Sequence, residues 1–432
     1  MTAAAVVLGP LLALSAMSPS AEAAEVYIGL EQTASARQQW ILGLDAFRPK
    51  EARRQEDVET GRLLREVVRA DLLFSRYLNL IEQPPPADSS KAKATEHWRS
   101  RGAAFLLEAE VARLKDQVTL SAKLHDLAAG EVILSRYYRQ KADFLRALAH
   151  RLSDDVVRQL TGRPGIAHTR IAFVNDQTGG KELYLVDYDG ARPRRITSNG
   201  SINLLPRWRP DGKALAFTSY KDGNPDLFLY DLERGKIEPL SDRQGLNLAG
   251  GFSPDGARIA ATISREKIPN VFIIDAESGD AKAVTSHWGV DSSPTFSPDG
   301  GQIAFVSDRA GNPQVHTLEL ATGRTRRLTH LNWSDSPSWA PSGEWIAFAG
   351  RAHRKDALDI FLVDITGTRV VQLTHGEGSN EAPSWSPDSR FIVFMSTRDG
   401  GRKRLHVMDA DGSAPHPLTD VPGDSFTPNW GP

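Results

Sequence analysis

Short apolar runs separated by glycine-containing turns fill the C-terminal half of the chain. A first run follows each proline-centred turn, as in Gln302–Ser307 and Phe391–Ser396, and a second run follows soon after, as in Asp226–Asp231 and Asp359–Asp364. A third run ends in Leu-Thr or a variant of it. Short runs bounded by turn residues are typical of β-strands, and no helical periodicity competes with them. The pattern therefore predicts an all-β region.

The same region repeats an aromatic residue, one variable residue and a proline six times. The prolines stand at positions 210, 254, 298, 341, 387 and 432, so that the repeat recurs every 43 to 46 residues. Counting the aromatic segment, each unit holds about four short strands. This period and strand content are typical of a blade of a β-propeller.

The phase of the repeat predicts how the ring closes. The first unit, residues 170–197, lacks a preceding aromatic-x-Pro segment, whereas the last such segment, residues 427–432, has no unit after it. Joining the two pieces completes one blade and removes an open sheet edge. We therefore expect six blades, closed by the C-terminal strand.

Residues 24–165 have a different pattern, which predicts an N-terminal α/β domain before a propeller at 166–432. Apolar residues at helical spacing predict helices over 57–78 and 142–160. Segments in which apolar and polar residues alternate predict strands at 40–47, 78–81, 104–111, 118–126 and 131–139. The expected fold class is thus an α/β N-terminal domain followed by a six-bladed all-β propeller.

Residues 1–23 have the pattern of a secretory signal peptide. Residues 3–17 are almost purely apolar, and Ala21-Glu22-Ala23 fits a cleavage site, although no Lys or Arg precedes the apolar core. Fifteen apolar residues are too few to span a bilayer, so no direct membrane span is expected. A formal net charge of −2 gives no general attraction to nucleic acid.

The motifs of common catalytic sites are absent from the sequence. It contains no G-x-S-x-G, P-loop, G-x-G-x-x-G or H-E-x-x-H pattern, so we expect no enzyme activity and no cofactor. His287, His330 and His375 follow the fourth strand of three successive units and could together ligate a metal ion. Repeat duplication explains them more simply, and we expect no metal site.

Residues that enter the first strand of each blade form the candidate binding site. This strand is expected to lie nearest the central channel, where small polar residues and a few apolar ones would make a concave, partly acidic platform for a protein partner. Solvated loops without a partner remain the alternative. The candidate residues are Asn203, Leu204, Asn247, Leu248, Asp291, Ser292, Asp335, Asn380, Glu381 and Phe426.

The whole chain resembles the TolB family of periplasmic Tol-Pal proteins. The resemblance rests on the order of signal peptide, α/β domain and Ser-Pro-Asp-Gly propeller, and on the segments Glu25-Val-Tyr-Ile28, Gln159-Leu-Thr-Gly162 and Thr169-Arg-Ile-Ala-Phe173. It implies a non-enzymatic periplasmic adaptor. Its propeller mouth, with the ten candidate residues, would bind the peptidoglycan-associated lipoprotein Pal.

The resemblance also implies a second partner, TolA, which would bind the mature N-terminal tail. The tail residues concerned are Glu25, Val26, Tyr27, Ile28 and Leu30. Such an adaptor would support outer-membrane integrity and constriction during cell division. The alternative is a propeller-based periplasmic hydrolase or lyase with a metal site in the channel.

Overall fold

The computed structural model describes residues 39–51, 54–86, 89–265 and 267–432. The predicted signal peptide, 1–23, lies outside these ranges. The predicted tail contacts Glu25, Val26, Tyr27, Ile28 and Leu30 also lie outside them. Of the helices within the described ranges, none is both long enough and apolar enough to cross a membrane.

The N-terminal domain is built on one five-stranded mixed sheet. Its strands are β1 (Trp40–Pro49), β2 (Leu78–Ile81), β3 (Phe105–Leu114), β4 (Gln117–Asp126) and β5 (Glu131–Lys141), in the order β2-β1-β3-β4-β5. Strand β1 pairs in parallel with both neighbours, whereas β3, β4 and β5 pair antiparallel. Its helices are α1 (Gln55–Phe74), α2 (Lys91–Ser100) and α3 (Leu145–Thr161), and a short 3-10 turn (Ala142–Phe144) precedes α3.

Two of the helices cover one face of this sheet, because each carries a stripe of apolar residues at helical spacing. Helix α1 buries Leu64, Val68 and Leu72 in the main core, where α3 adds Leu152 and Val156. Helix α2 contributes Trp98 to a second, smaller cluster. A Cβ at Gly43 of β1 would lie 2.7 Å from the Trp98 ring, so glycine is required for this close approach.

The predicted elements of this domain correspond to observed ones, with three differences. Helix α1 ends at Phe74 and not at 78, because Arg76 takes a left-handed backbone with φ 60° and turns the chain into β2. Helix α2 was not predicted, although Ser90 accepts a hydrogen bond from the Lys93 backbone as its N-cap. Strands β1, β3 and β5 extend two or three residues beyond their predicted ends, whereas β2 matches its prediction and β4 begins one residue earlier.

The propeller has six four-stranded antiparallel blades around a central channel. The inner strands are β9 (Asn203–Trp208), β13 (Asn247–Phe252), β17 (Asp291–Phe296), β21 (Trp333–Trp339), β25 (Asn380–Trp385) and β29 (Ser425–Trp430). The second strands are β10 (Ala214–Ser219), β14 (Arg258–Arg265), β18 (Gln302–Ser307), β22 (Trp345–Arg351), β26 (Phe391–Ser396) and β6 (Arg170–Asn175). In this order they belong to blades 1 to 6.

The two outer strands of each blade follow in the same order. The third strands are β11 (Asp226–Asp231), β15 (Ile268–Asp275), β19 (Gln314–Glu319), β23 (Asp359–Asp364), β27 (Arg404–Asp409) and β7 (Glu182–Asp187). The outermost strands are β12 (Lys236–Ser241), β16 (Ala281–Ala283), β20 (Thr325–Arg327), β24 (Val370–Gln372), β28 (His416–Pro417) and β8 (Arg194–Arg195). The predicted fold class is confirmed.

Blade 6 closes the ring in the predicted way, by combining the two ends of the repeat. Strand β29 pairs antiparallel with β6, so that Ser425 faces Asn175 and Trp430 faces Ile171. The buried Trp430 indole donates to the Thr169 hydroxyl at 2.9 Å. The C-terminal strand therefore fills the position that an inner strand occupies in every other blade.

The Ser-Pro-Asp-Gly turns have a local explanation. In blade 2 the Ser253 hydroxyl donates to Asp255, whose carboxylate accepts from the Ala257 backbone, and Gly256 supplies the left-handed φ of 70°. Blade 5 has Ser389 at the glycine position with φ 62°. The motif is therefore structural and makes the turn between the inner and second strands.

The N-terminal domain docks on blades 5 and 6 through apolar and charged contacts. The Phe74 ring lies 4.8 Å from the rings of both Tyr188 and Phe391, measured between centroids. Around this cluster, Arg146 forms ion pairs with Asp187 at 3.3 Å and Asp189 at 2.6 Å.

A buried polar network at the centre of this interface joins the two domains. Asp71 of α1 accepts hydrogen bonds from the Tyr188 hydroxyl at 2.7 Å and the Ser153 hydroxyl at 2.7 Å, and His150 Nδ1 lies 2.9 Å from it. Burial alone would lower the pKa of His150, but the carboxylates of Asp187 and Asp71 outweigh it and raise this pKa to about 9. His150 is therefore protonated at neutral pH and holds two carboxylates together.

Removing Ser425–Pro432 should destabilise the ring, because β6 would lose its inner neighbour and the apolar core of blade 6 would be exposed. A milder test is Trp430→Ala, for which truncation of a buried aromatic residue should cost about 3–5 kcal/mol. Deletion of the exposed Pro432 alone is the control. Thermal melting and size-exclusion chromatography measure the effect, and unchanged melting of the Ser425–Pro432 deletion would contradict the closure.

Raising the pH should weaken the domain interface through His150. Its pKa rises from the ordinary 6.5 to about 9 on folding, so its contribution is complete below pH 6.5 and is lost as the pH rises through 9. The loss should be on the order of 3 kcal/mol. Urea unfolding at pH 6.5 and pH 9 measures it. His150→Gln should remove most of the decline, whereas an equal decline in both proteins would show that other groups cause it.

Candidate functional site

The channel has two chemically different ends. All inner strands begin at one end, termed here the mouth face, and finish at the other, termed the opposite face. In blade 6, Asn175 pairs with Ser425 at the mouth face, while Arg170 pairs with Asp187 at the opposite face. Because Asp187 belongs to the domain interface, the N-terminal domain sits at the opposite face. The part of the N-terminal domain that the structure describes leaves the mouth face open.

Four of the ten predicted partner residues are fully buried. Asn203, Asn247, Asp291 and Asn380 are the first residues of inner strands and are 0 % exposed. They are strand residues with internal hydrogen bonds, whereas the sequence interpretation placed them on an accessible platform. This is a correction: their side chains offer no surface to a partner, because each is used inside the blades.

Two of these buried residues link one blade to the next. Asn203 donates to the Glu182 carboxylate at 3.1 Å, and Glu182 also accepts from the Thr197 hydroxyl at 2.5 Å. The same arrangement recurs where Asn380 donates to Asp359 at 3.1 Å. A buried polar group without a partner is costly, so these clusters fix the spacing of the blades at the mouth.

Blade 3 uses an ion pair at the equivalent position. Asp291 accepts two hydrogen bonds from Arg309 Nη2, at 3.0 and 2.9 Å, and its side chain is fully buried. The Arg309 guanidinium also lies 5.3 Å from the centre of the Phe305 ring. Asp291 therefore anchors the strand and does not contribute an accessible negative charge.

The other six predicted residues each lie four positions before the aromatic residue that ends an inner strand, and all are half-buried at the mouth. They are Leu204, Leu248, Ser292, Asp335, Glu381 and Phe426. The structure brings these six together around the channel, because the blades repeat the same strand geometry. They form a ring of partly accessible side chains, which we term the mouth ring.

The mouth ring is divided electrostatically. On the side of blades 4 and 5, burial raises the pKa of Asp335, and the nearby charge of Glu381 raises it further. Hydrogen bonds from Ser336 and Ser293 lower this pKa, but the effect of burial is larger. On the side of blade 6, the Phe426 ring lies between two lysine ammonium groups. Lys181 Nζ is 4.4 Å and Lys403 Nζ 5.0 Å from its centre. The mouth thus presents an acidic side and a basic, aromatic side.

Exposed apolar residues flank the mouth ring, and the sequence analysis missed them. Trp288 is 73 % exposed, and Ile202, Val290 and Ile268 are also well exposed. Ile202 and Val290 immediately precede inner strands, while Ile268 caps the extended hairpin of β14 and β15. A tryptophan three residues before a predicted strand, in a polar loop, is a signal that the sequence offers, since tryptophan rarely stays fully in water.

The three predicted histidines do not form a metal site. The His287 ring accepts from the Gly289 backbone at 3.0 Å and lies beside Trp288, with 4.9 Å between ring centres. His330 and His375 are exposed residues of other blades. Among the described residues, no group of three or more His, Cys, Asp or Glu side chains could hold a metal ion.

Comparison with known proteins identifies similar sequences. A family model of the TolB β-propeller domain matches residues 157–432, which is more than half of the chain. The Tol-Pal system protein TolB of Geobacter sulfurreducens is 35% identical over 211 residues, which are 48% of each chain. That of Desulfosudis oleivorans is 38% identical over 159 residues, 34% of this chain and 36% of the relative. The matched part thus spans about half or less of these curated relatives.

A solved structure extends the similarity to both domains. The crystal structure of TolB from Acinetobacter baumannii superposes with a TM-score of 0.79 at 27% sequence identity. The superposition covers 91% of this chain and 97% of that one. The arrangement of an α/β domain before a six-bladed propeller is therefore shared with that protein.

Proposed function

The chain belongs to the TolB β-propeller family, and we propose that it is a non-enzymatic adaptor of the Tol-Pal system that binds Pal at the mouth face. The observation that carries this proposal is the open mouth ring, flanked by exposed apolar residues, at the end of the propeller remote from the other domain. Curated relatives that are named Tol-Pal system proteins support the assignment to this system. The binding of Pal is our inference.

Exposed apolar surface favours a protein partner over a small substrate. Trp288 with Ile202, Val290 and Ile268 forms an apolar edge over blades 1 to 3. Tryptophan is enriched among residues that dominate binding energy, and a polar rim around such residues excludes water. The half-buried Ser292, next to the Trp288 loop, would lie within the contact. A partner that covers both Ser292 and the Trp288 loop would bury this apolar edge.

The mouth ring supplies the polar and charged part of the proposed Pal site. Leu204, Leu248 and Ser292 extend the apolar edge toward the channel, and Asp335 and Glu381 supply its acidic side. Phe426 with its two lysines supplies the basic side. Complementary charge on the partner would set orientation and association rate more than affinity. Asn203, Asn247, Asp291 and Asn380 act in this proposal as the internal support of the ring.

A second partner, TolA, is proposed for the mature N-terminal tail. Residues Val26, Ile28 and Leu30 alternate with other residues, a pattern suited to adding a strand to a partner's sheet. Glu25 precedes this run and Tyr27 lies within it. Cleavage after residue 23 would place the tail at the start of the mature chain in the periplasm. In this role the protein would support outer-membrane integrity and constriction during cell division.

Trp288→Ala should weaken binding of the soluble domain of Pal by about 30-fold, because truncating a central tryptophan costs about 2 kcal/mol or more. Isothermal titration calorimetry measures the affinity. Ile365→Ala is a matched control, since Ile365 is also an exposed apolar residue but follows β23 at the opposite face. Equal affinity of wild type, Trp288→Ala and Ser292→Arg would place the Pal site elsewhere.

Deleting Glu25–Ala36 should abolish TolA binding and leave Pal binding within about tenfold, or ~1.4 kcal/mol. The reason is that the two proposed sites lie on different parts of the chain. Both affinities are measured on one purified variant, and the Trp288→Ala protein, which should keep TolA binding, is the reciprocal control. Retained TolA binding by the deletion variant would exclude the tail.

A further inference from the structure

The channel between the inner strands encloses a cavity of about 370 Å³. One level of its wall is formed by the residue that precedes the terminal aromatic residue of each inner strand. These residues are Arg207, Gly251, Thr295, Ser338, Ser384 and Asn429. Arg207 is the only ionisable side chain among the described residues that line the cavity. This level of the wall thus carries mostly small polar side chains and one cationic side chain.

Arg207 lacks a counter-charge in the described part of the chain. One of its N–H groups donates to the Pro206 carbonyl at 3.0 Å, and no ion pair involves its guanidinium among the described residues. Burial lowers the pKa of Arg207 to about 10. Because this value is far above neutral pH, the guanidinium stays protonated and cationic inside the channel.

A cation held in a confined space without a carboxylate is costly, and an anion is the group that offsets the cost. The guanidinium has five N–H donors in a planar fork, which fits the oxygens of a phosphate or carboxylate. Thr295 and Ser338 bring hydroxyl groups to the same level of the wall, and the buried hydroxyl of Thr427, which also lines the cavity, has no hydrogen-bond partner among the described residues. These groups add donors for a bound oxyanion.

A metal cation fits this cavity poorly. Hard divalent cations take carboxylate and carbonyl oxygens as ligands, and no Asp or Glu lines the cavity among the described residues. The charge of Arg207 would also repel a cation. We propose that the channel binds one small oxyanion, of the phosphate or carboxylate class, on the guanidinium of Arg207. Leu248 of the mouth ring also lines this cavity, whereas Arg207 is not among the proposed partner residues.

The test is thermal melting of the whole protein in sodium phosphate or sodium acetate, against sodium chloride at matched ionic strength. A ligand that binds only the native state raises the melting temperature, and we expect a rise of about 3 °C at saturating phosphate. Arg207→Gln should abolish this rise, whereas Arg207→Lys should keep part of it. Arg209→Gln is the control, because Arg209 pairs with Asp211 outside the channel.

Calorimetric titration with inorganic phosphate provides a second readout, with one site expected in wild type and none in Arg207→Gln. Circular dichroism confirms that each variant is folded before titration. An equal rise in melting temperature for wild type and Arg207→Gln would show adventitious surface binding and overturn the proposal. The proposal would also be overturned if phosphate and acetate gave the wild type no higher melting temperature than chloride does.

Discussion

The pairing of β29 with β6 is the interaction on which the rest of the propeller depends. It joins residues about 250 positions apart, such as Asn175 and Ser425, whose side chains hydrogen-bond at 3.1 Å. Without it, blade 6 has no inner strand, the channel has an open side, and β6 presents an unpaired edge. The mouth ring and the channel wall both depend on this closure, because it completes the set of six inner strands around the channel. It also fixes Tyr188 and Asp187, which hold the N-terminal domain.

The open mouth follows from where the N-terminal domain is attached to the propeller. Phe74, His150 and their neighbours contact the ends of blades 5 and 6 that lie at the opposite face, so the described residues of the N-terminal domain leave the mouth ring uncovered. A polar network with a protonated histidine joins the domains, and such networks tend to hold one arrangement because each member needs its partners. The proposed binding of a protein partner at the mouth requires that this face be accessible.

The repeat in the sequence predicted the architecture because each blade is a local unit with its own turn chemistry. The proline spacing located the inner strands, and the incomplete first and last units predicted closure. Burial of Asn203 and Asp291 was not predictable, since it depends on Glu182 of the preceding blade and on Arg309, which no local pattern connects to them. Helix α2 was missed because its ten residues show little apolar periodicity. The isolation of Arg207 emerges only when six separate strands surround one cavity.

Hydrogen–deuterium exchange of the protein with and without the soluble domain of Pal tests the central claim most directly. Amides protected by a partner exchange more slowly, so protection maps the contacted segments. The account predicts protection in residues 199–204 and 286–293 at the mouth face, and little change in residues 39–161. Protection confined to the N-terminal domain, with the mouth segments unchanged, would contradict the assignment of the propeller mouth as the Pal site.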